Sequence, residues 1–202
     1  MAAHLDGPDL LALHARALEH FGELVRAVPA DGWQQPTPCA DWTVRQLVGH
    51  LVSEQLWVPP LLSGASVAEV GDRFDGDLLG ADPVAAWTSA AAAARAAFAE
   101  PGALARTVQL SYGPRRADGY AREMTVDAIV HAWDLAQGIG ADARIDPAAA
   151  EFALAELAPQ AQALASSGLF AAPVPVPAGA PAGDRLLGLV GRDPAHPFGA
   201  AH

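Results

Sequence analysis

The chain has 202 residues, 51% hydrophobic and 17% charged, the make-up of a globular interior, which excludes a disordered segment. Acidic residues outnumber basic ones 23 to 12, every basic residue is Arg, and the formal charge is −11. Such a surface repels phosphate backbones and anionic lipid, so no nucleic acid and no membrane is expected as a partner. The single cysteine, Cys39, excludes an intramolecular disulfide and a multi-thiolate zinc site. No basic region followed by an apolar run opens the sequence, so no secretory signal is read, and the Ala-rich stretch 85–100 is interrupted by Arg95. These features predict a cytoplasmic protein with one domain over residues 1–202.

The first helix is predicted from about Asp6 to Val28, with Leu10, Ala17, Phe21, Leu24 and Val28 spaced by threes and fours and a gap at His14. Residues 29–41 hold Pro29, Gly32, Pro36 and Pro38 and form a loop. A second helix starts near Thr43, where Thr43 and Gln46 match a reciprocal capping pair, and is expected to end or kink at Pro59-Pro60. After a Gly- and Asp-rich connection, Asp82-Pro83 opens a third, Ala-rich helix that stops before Pro101-Gly102. Thr107–Leu110 reads as a short extended piece and Tyr112–Arg116 as a turn. A fourth helix is predicted from about Asp118 to a stop at Gly138, and a fifth from Asp146-Pro147 to about Ser166. A Pro-rich strap around 172–177 and a short helix from Asp184 to Val190 close the chain. The fold class is therefore all-α, a four-helix bundle with additional short helices.

Ionisable residues on inward helical stripes are the anomaly of this pattern. On the second helix His50 lies between Leu47 and Leu51, one turn before Glu54. On the fourth, Asp127 and His131 project from adjacent turns of a face that also carries Met124, Ala128 and Leu135. Burying such groups costs several kcal/mol unless they are paired or bind a cation. Two imidazoles and one carboxylate supply three ligands for a divalent metal and leave a position open, as in catalytic sites. A hydrogen-bonded core pair satisfies the same spacing, and the spacing alone leaves both readings standing. Glu54 could orient His50, act as a base or replace Asp127 as the carboxylate ligand. Trp57 and His14 are candidates to line the same substrate pocket, with core packing as the alternative for each. Cys39 reads as a small packing residue, Asp134 as a structural hydrogen-bond or salt-bridge partner, Arg115 and Arg116 as a charged turn that could meet an anion, and His20, His196 and His202 as surface residues.

Three stretches resemble the DinB-like helical bundles, in particular the mycothiol-dependent maleylpyruvate isomerase-like metal-binding proteins of actinobacteria. They are TPCADWTVRQLVGHL from Thr37 to Leu51, HAWDLA from His131 to Ala136, and DRLLGLVGRDP from Asp184 to Pro194. The resemblance implies a DinB-like bundle whose metal is held by His50, Asp127 and His131. Where the isomerase carries Glu, this chain has Asp127, whose shorter arm asks for a closer helix, a shifted ion or a bridging water. The isomerase also has a separate C-terminal domain, for which 202 residues leave no room.

With the resemblance, the expected function is that of a divalent-metal-dependent enzyme acting on a small molecule. It would be a thiol-dependent isomerase or S-transferase with Zn²⁺, or Fe²⁺ or Ni²⁺, and mycothiol as co-substrate. The alternatives are a metal-dependent biosynthetic enzyme that uses no thiol, and a non-catalytic metal- or ligand-binding bundle. A homodimer stays open.

Overall fold

The computed structural model describes residues 6–39, 42–161, 170–195 and 198. Seven helices lie among them: α1 (Gly7–Ala27), α2 (Val44–Leu62), α3 (Val67–Val70), α4 (Pro83–Ala99), α5 (Ala117–Ile139), α6 (Pro147–Leu157) and α7 (Ala182–Leu189). Side chains placed before the helices set most starts. Asp6, Asp82 and Asp146 each accept a backbone N–H of the first turn, and Thr43 and Gln46 form the expected capping box.

The four long helices make a bundle, and the contacts fix its directions. The start of α1 shares a groove with Arg116, Asp118 and Arg122, and its middle packs beside Ala128, Ile129 and Trp133, so α1 and α5 run parallel. Gly22 of α1 lies against Trp87, and the His14 ring meets Phe98 edge-on at 5.4 Å, which makes α4 antiparallel to α1. Arg45 at the start of α2 bonds the Gly80 carbonyl just before α4, and Arg106 just after α4 bonds the Leu62 carbonyl at the end of α2. Hence α2 and α4 run parallel, and residues 63–82, which carry α3, return the chain along the bundle. The core joins Phe21, Leu47, Leu51, Phe98 and Leu135, all almost fully shielded from water.

Several boundaries differ from the sequence expectation. Helix α2 passes through Pro59 and Pro60 and ends at Leu62; the prolines deprive the Gln55 and Leu56 carbonyls of their i+4 amides, and the helix runs only two residues further. Helix α5 stops at Gly140 (φ 68°) rather than Gly138. Gly138 is inside the helix because a Cβ there would stand 3.1–3.2 Å from Thr37, Pro36 and Val44, so its bareness lets α5 close on the start of α2. Thr107–Leu110 is the expected extended piece (β1), but Gly113–Arg116 is its antiparallel partner (β2) and the turn shrinks to Ser111-Tyr112. Helix α6 gives way to a tight turn at Ala158–Gln160, which contains Pro159; the predicted continuation over 162–166 lies outside the described residues.

The strap at 171–177 has no regular structure, as expected, and its Val174 amide bonds the Gly188 carbonyl of α7 at 2.8 Å. No helix among the described residues is long and apolar enough to cross a membrane.

Candidate functional site

Helices α2 and α5 cross where Gly138 allows their close approach, and they bring His50, Asp127 and His131 together. One ligand atom from each lies within 4.8 Å of the other two. Asp127 sits between the imidazoles, its Oδ1 3.4 Å from His131 Nε2 and its Oδ2 3.7 Å from His50 Nε2. Those separations are too long for strong hydrogen bonds, and Oδ2 is shielded from water without a hydrogen-bond partner among the described residues. Burial disfavours the Asp127 carboxylate, but His131 and His50 overcome this and hold its pKa well below the usual range. Burial likewise opposes charge on His131, yet Asp127 and then Asp134 lift its pKa to about 9. Without an ion, a proton on His131 compensates the buried carboxylate.

Behind this trio lies a second row of contacts. His131 Nδ1 is 2.9 Å from Asp134 Oδ2, and the Asp134 carboxylate, fully buried, accepts two bonds from Arg192, at 3.1 Å from Nε and 2.7 Å from Nη2. With Asp134 ionised, Nδ1 keeps its proton, and the second imidazolium proton, on Nε2, faces Asp127; it is the one a bound cation would displace. The loop before α2 supplies a wall. Thr37 ties it down, its hydroxyl donating to the Cys39 and Trp42 carbonyls at 3.2 and 2.9 Å. This places the Trp42 ring 4.8 Å from His50 and 6.0 Å from His131. Cys39 is half-buried near His131 and Asp134, and burial, with Asp134, pushes its thiol pKa up. It packs there as a neutral group.

A cavity of about 590 Å³ opens in front of the trio, reached by His50 and Asp127. Glu54 and Trp57 are among the residues that line it. Glu54 stands outside the close ligand group, and burial followed by the nearby Asp127 raises its pKa. Trp57 forms one wall, steadied by an edge contact with Phe74 at 5.6 Å. The β1–β2 hairpin forms the mouth, where Arg115 pairs with Glu123 at 2.8 Å and the Tyr112 hydroxyl donates to the same carboxylate. Arg116 pairs with Asp118 and lines a different groove.

His14 corrects the expectation. It is absent from the cavity lining and fully buried against Phe98, because the α1 stripe faces α4 and α5 at this level and not the α2–α5 crossing. Burial and then Arg95 lower its pKa to about 4, so it is a neutral core residue. His20 is half-exposed, as expected, whereas His196 and His202 lie outside the described residues. Sequence reasoning missed Trp42 as a wall and Arg192 as the partner of Asp134. The signal for Trp42 was an aromatic directly before a helix cap; Arg192 is 58 residues from its partner and gave none.

Over 194 residues the chain is 36% identical to uncharacterised proteins of Mycobacterium tuberculosis from strains CDC 1551 / Oshkosh and ATCC 25618 / H37Rv, covering 91% of this chain and 98% of each relative. A crystal structure of mycothiol-dependent maleylpyruvate isomerase, in a variant with one histidine replaced by alanine, superposes with a TM-score of 0.63 at 16% identity. The match spans 78% of this chain and 70% of that one, and it supports the DinB-like bundle. The profile of the mycothiol maleylpyruvate isomerase N-terminal domain matches residues 14–136, the stretch that contains His50, Asp127 and His131, and the chain belongs to that family.

Proposed function

We propose that His50, Asp127 and His131 hold a divalent metal ion and that the chain is an enzyme acting on a small molecule with a low-molecular-weight thiol of the mycothiol kind. The supporting observation is Asp127: a shielded carboxylate oxygen without a donor, set between two imidazole nitrogens, is what a cation would satisfy. Two nitrogens and one oxygen suit Zn²⁺, and the same set accommodates Fe²⁺ or Ni²⁺. A bound ion would supply Lewis acidity and favour the deprotonated form of a thiol at neutral pH.

The chain's own residues account for the rest of the reading. Asp134 orients His131. Trp42 shields the imidazoles from water on the loop side, and Trp57 and Leu61 offer an apolar wall to the substrate. Glu54, on the cavity side and outside the ligand group, is placed to take up or return a proton during thiol addition and elimination. Family membership supports isomerisation by reversible thiol addition, with S-transfer as its alternative on the same site.

The test is elemental analysis of protein purified without a metal-affinity tag, followed by turnover of activated alkenes with and without mycothiol. About one transition ion per chain is expected, lost in His50→Ala and His131→Ala and kept in Trp133→Phe. A folded, active, metal-free protein refutes the metal; turnover indifferent to the thiol refutes the co-substrate and leaves a thiol-free metalloenzyme.

A further inference from the structure

We propose that Arg192, delivered by the C-terminal segment, is a positioning residue for this site, setting the orientation of His131 through Asp134. The inference rests on the metal reading above for its effect on affinity, but its geometric part stands without an ion.

Asp134 is a fully buried carboxylate whose two oxygens accept three bonds. Oδ1 takes the Arg192 Nε proton; Oδ2 takes one from Nη2 and faces His131 Nδ1. A two-point guanidinium clamp fixes the plane of the carboxylate as well as its position, which a single ammonium cannot do. Fixing that plane fixes the line along which His131 Nδ1 points, and hence where Nε2 aims on the other side of the ring. Arg192 is 58 residues away in sequence and belongs to neither α2 nor α5, so these helices alone do not complete the site.

The C-terminal segment is shaped to hold this guanidinium in place. Arg192 Nη1 donates to the Val190 carbonyl at 2.8 Å, and the Arg192 amide donates to the Leu187 carbonyl at 2.8 Å. Gly191 before it has φ +78°, and a Cβ there would lie 2.6 Å from the Ala171 carbonyl oxygen. Gly188, one turn earlier, would place a Cβ 2.4 Å from Val176 and 2.7 Å from the Val174 carbonyl oxygen. Both glycines are bare because the strap lies directly on them. The strap, α7 and the Gly191 turn thus form one unit that presents Arg192 to Asp134.

The experiment compares wild type with Arg192→Lys, Arg192→Gln and Gly191→Ala in the full chain. Zn²⁺ affinity is read by chelator competition, and the His131 Nδ1–H resonance by NMR in zinc-free and zinc-loaded protein. Second-row substitutions of this kind weaken metal binding about 10–100-fold, and that loss is expected for Arg192→Gln. Arg192→Lys should fall between Gln and wild type, and Gly191→Ala should weaken binding with the ion pair chemically intact. The downfield, slowly exchanging Nδ1–H signal of wild type should broaden or vanish in all three.

Should Arg192→Gln fail to fold, Arg192→Lys carries the same test, because it keeps the charge and loses only the second bond. Zinc affinity within about twofold of wild type in Arg192→Lys and Gly191→Ala, with the Nδ1–H signal unchanged, overturns the proposal. If wild type binds no Zn²⁺, the metal reading falls by itself. The Nδ1–H signal then decides the positioning role: its loss in the variants supports the role, and its persistence refutes it.

Discussion

Replacing Asp127 by Asn should change how the stability of the metal-free protein depends on pH, in a direction fixed by the His131–Asp127 pair. His131 has its pKa raised from 6.5 to about 9 in the folded chain. A group whose folded pKa is raised stabilises the fold fully below its unfolded pKa, and the stabilisation is lost as pH rises through the folded value. The window therefore runs from 6.5 up to about 9. The interaction corresponds to about 3 kcal/mol at most, and to about 2 kcal/mol once the 30% exposure of the Asp127 side chain is allowed for. The lowered pKa of Asp127 reports the same interaction and is not added to it.

Urea unfolding of chelator-treated protein, in steps from about pH 6 to about pH 10, measures the loss. Asp127→Asn removes the larger of the two charges that raise the imidazole pKa and leaves Asp134, so its profile should be flatter across the window, by at most about 2 kcal/mol. Zinc should reverse the trend: it competes with the His131 proton, so its affinity should climb over the same range. Parallel wild-type and Asp127→Asn profiles would refute the coupling, and with it the electrostatic description of the site.

His14 has the opposite sign. Its folded pKa is lowered to about 4, so stability present above 6.5 drains away as pH falls toward that value, by about 3 kcal/mol, and His14→Met should flatten the acid limb of the unfolding profile. Saturating wild type with Zn²⁺ at about 100 times its dissociation constant should add about 2.7 kcal/mol, measured by thermal unfolding, and His50→Ala should abolish the increment. Gly138→Leu should destabilise the fold by about 1–3 kcal/mol in the same assay and weaken zinc binding, since its side chain would press on Pro36, Thr37 and Val44 and part α5 from α2. Glu54→Gln should leave zinc affinity nearly unchanged and reduce turnover about 100-fold, which separates proton handling from metal holding.

Much of this molecule was legible in local patterns. Asp6, Thr43, Asp82 and Asp146 announced helix starts because a cap acts within three residues. The trio was legible in part: Asp127 and His131 share a helix face, so their pairing follows from the period, whereas the arrival of His50 depended on a helix crossing that the inward stripe of α2 and the family resemblance suggested but no local pattern fixes. Helix directions were hidden, because 20 residues between α2 and α4 are long enough for either direction. His14 misled because a polar gap in an apolar stripe says that a side chain is buried and not which neighbour it meets. Pro59 and Pro60 misled by two residues, because α2 bears the two lost amide bonds for its short remaining run to Leu62. The bond from Arg192 to Asp134 has no local trace in either stretch, although both stretches carried the resemblance.

Helix α5 has the consequence that reaches furthest. From Tyr120 to Ala136 almost every position is shielded, since α1, α2 and α6 all pack on it. Amide protons in such a segment exchange with solvent only when the whole domain opens. Asp127, His131 and Asp134 therefore sit on the slowest-exchanging part of the chain, and the parts that close around them are Trp42 and Arg192. A ligand entering through the cavity in front of the trio meets a rod that holds Asp127 and His131 fixed.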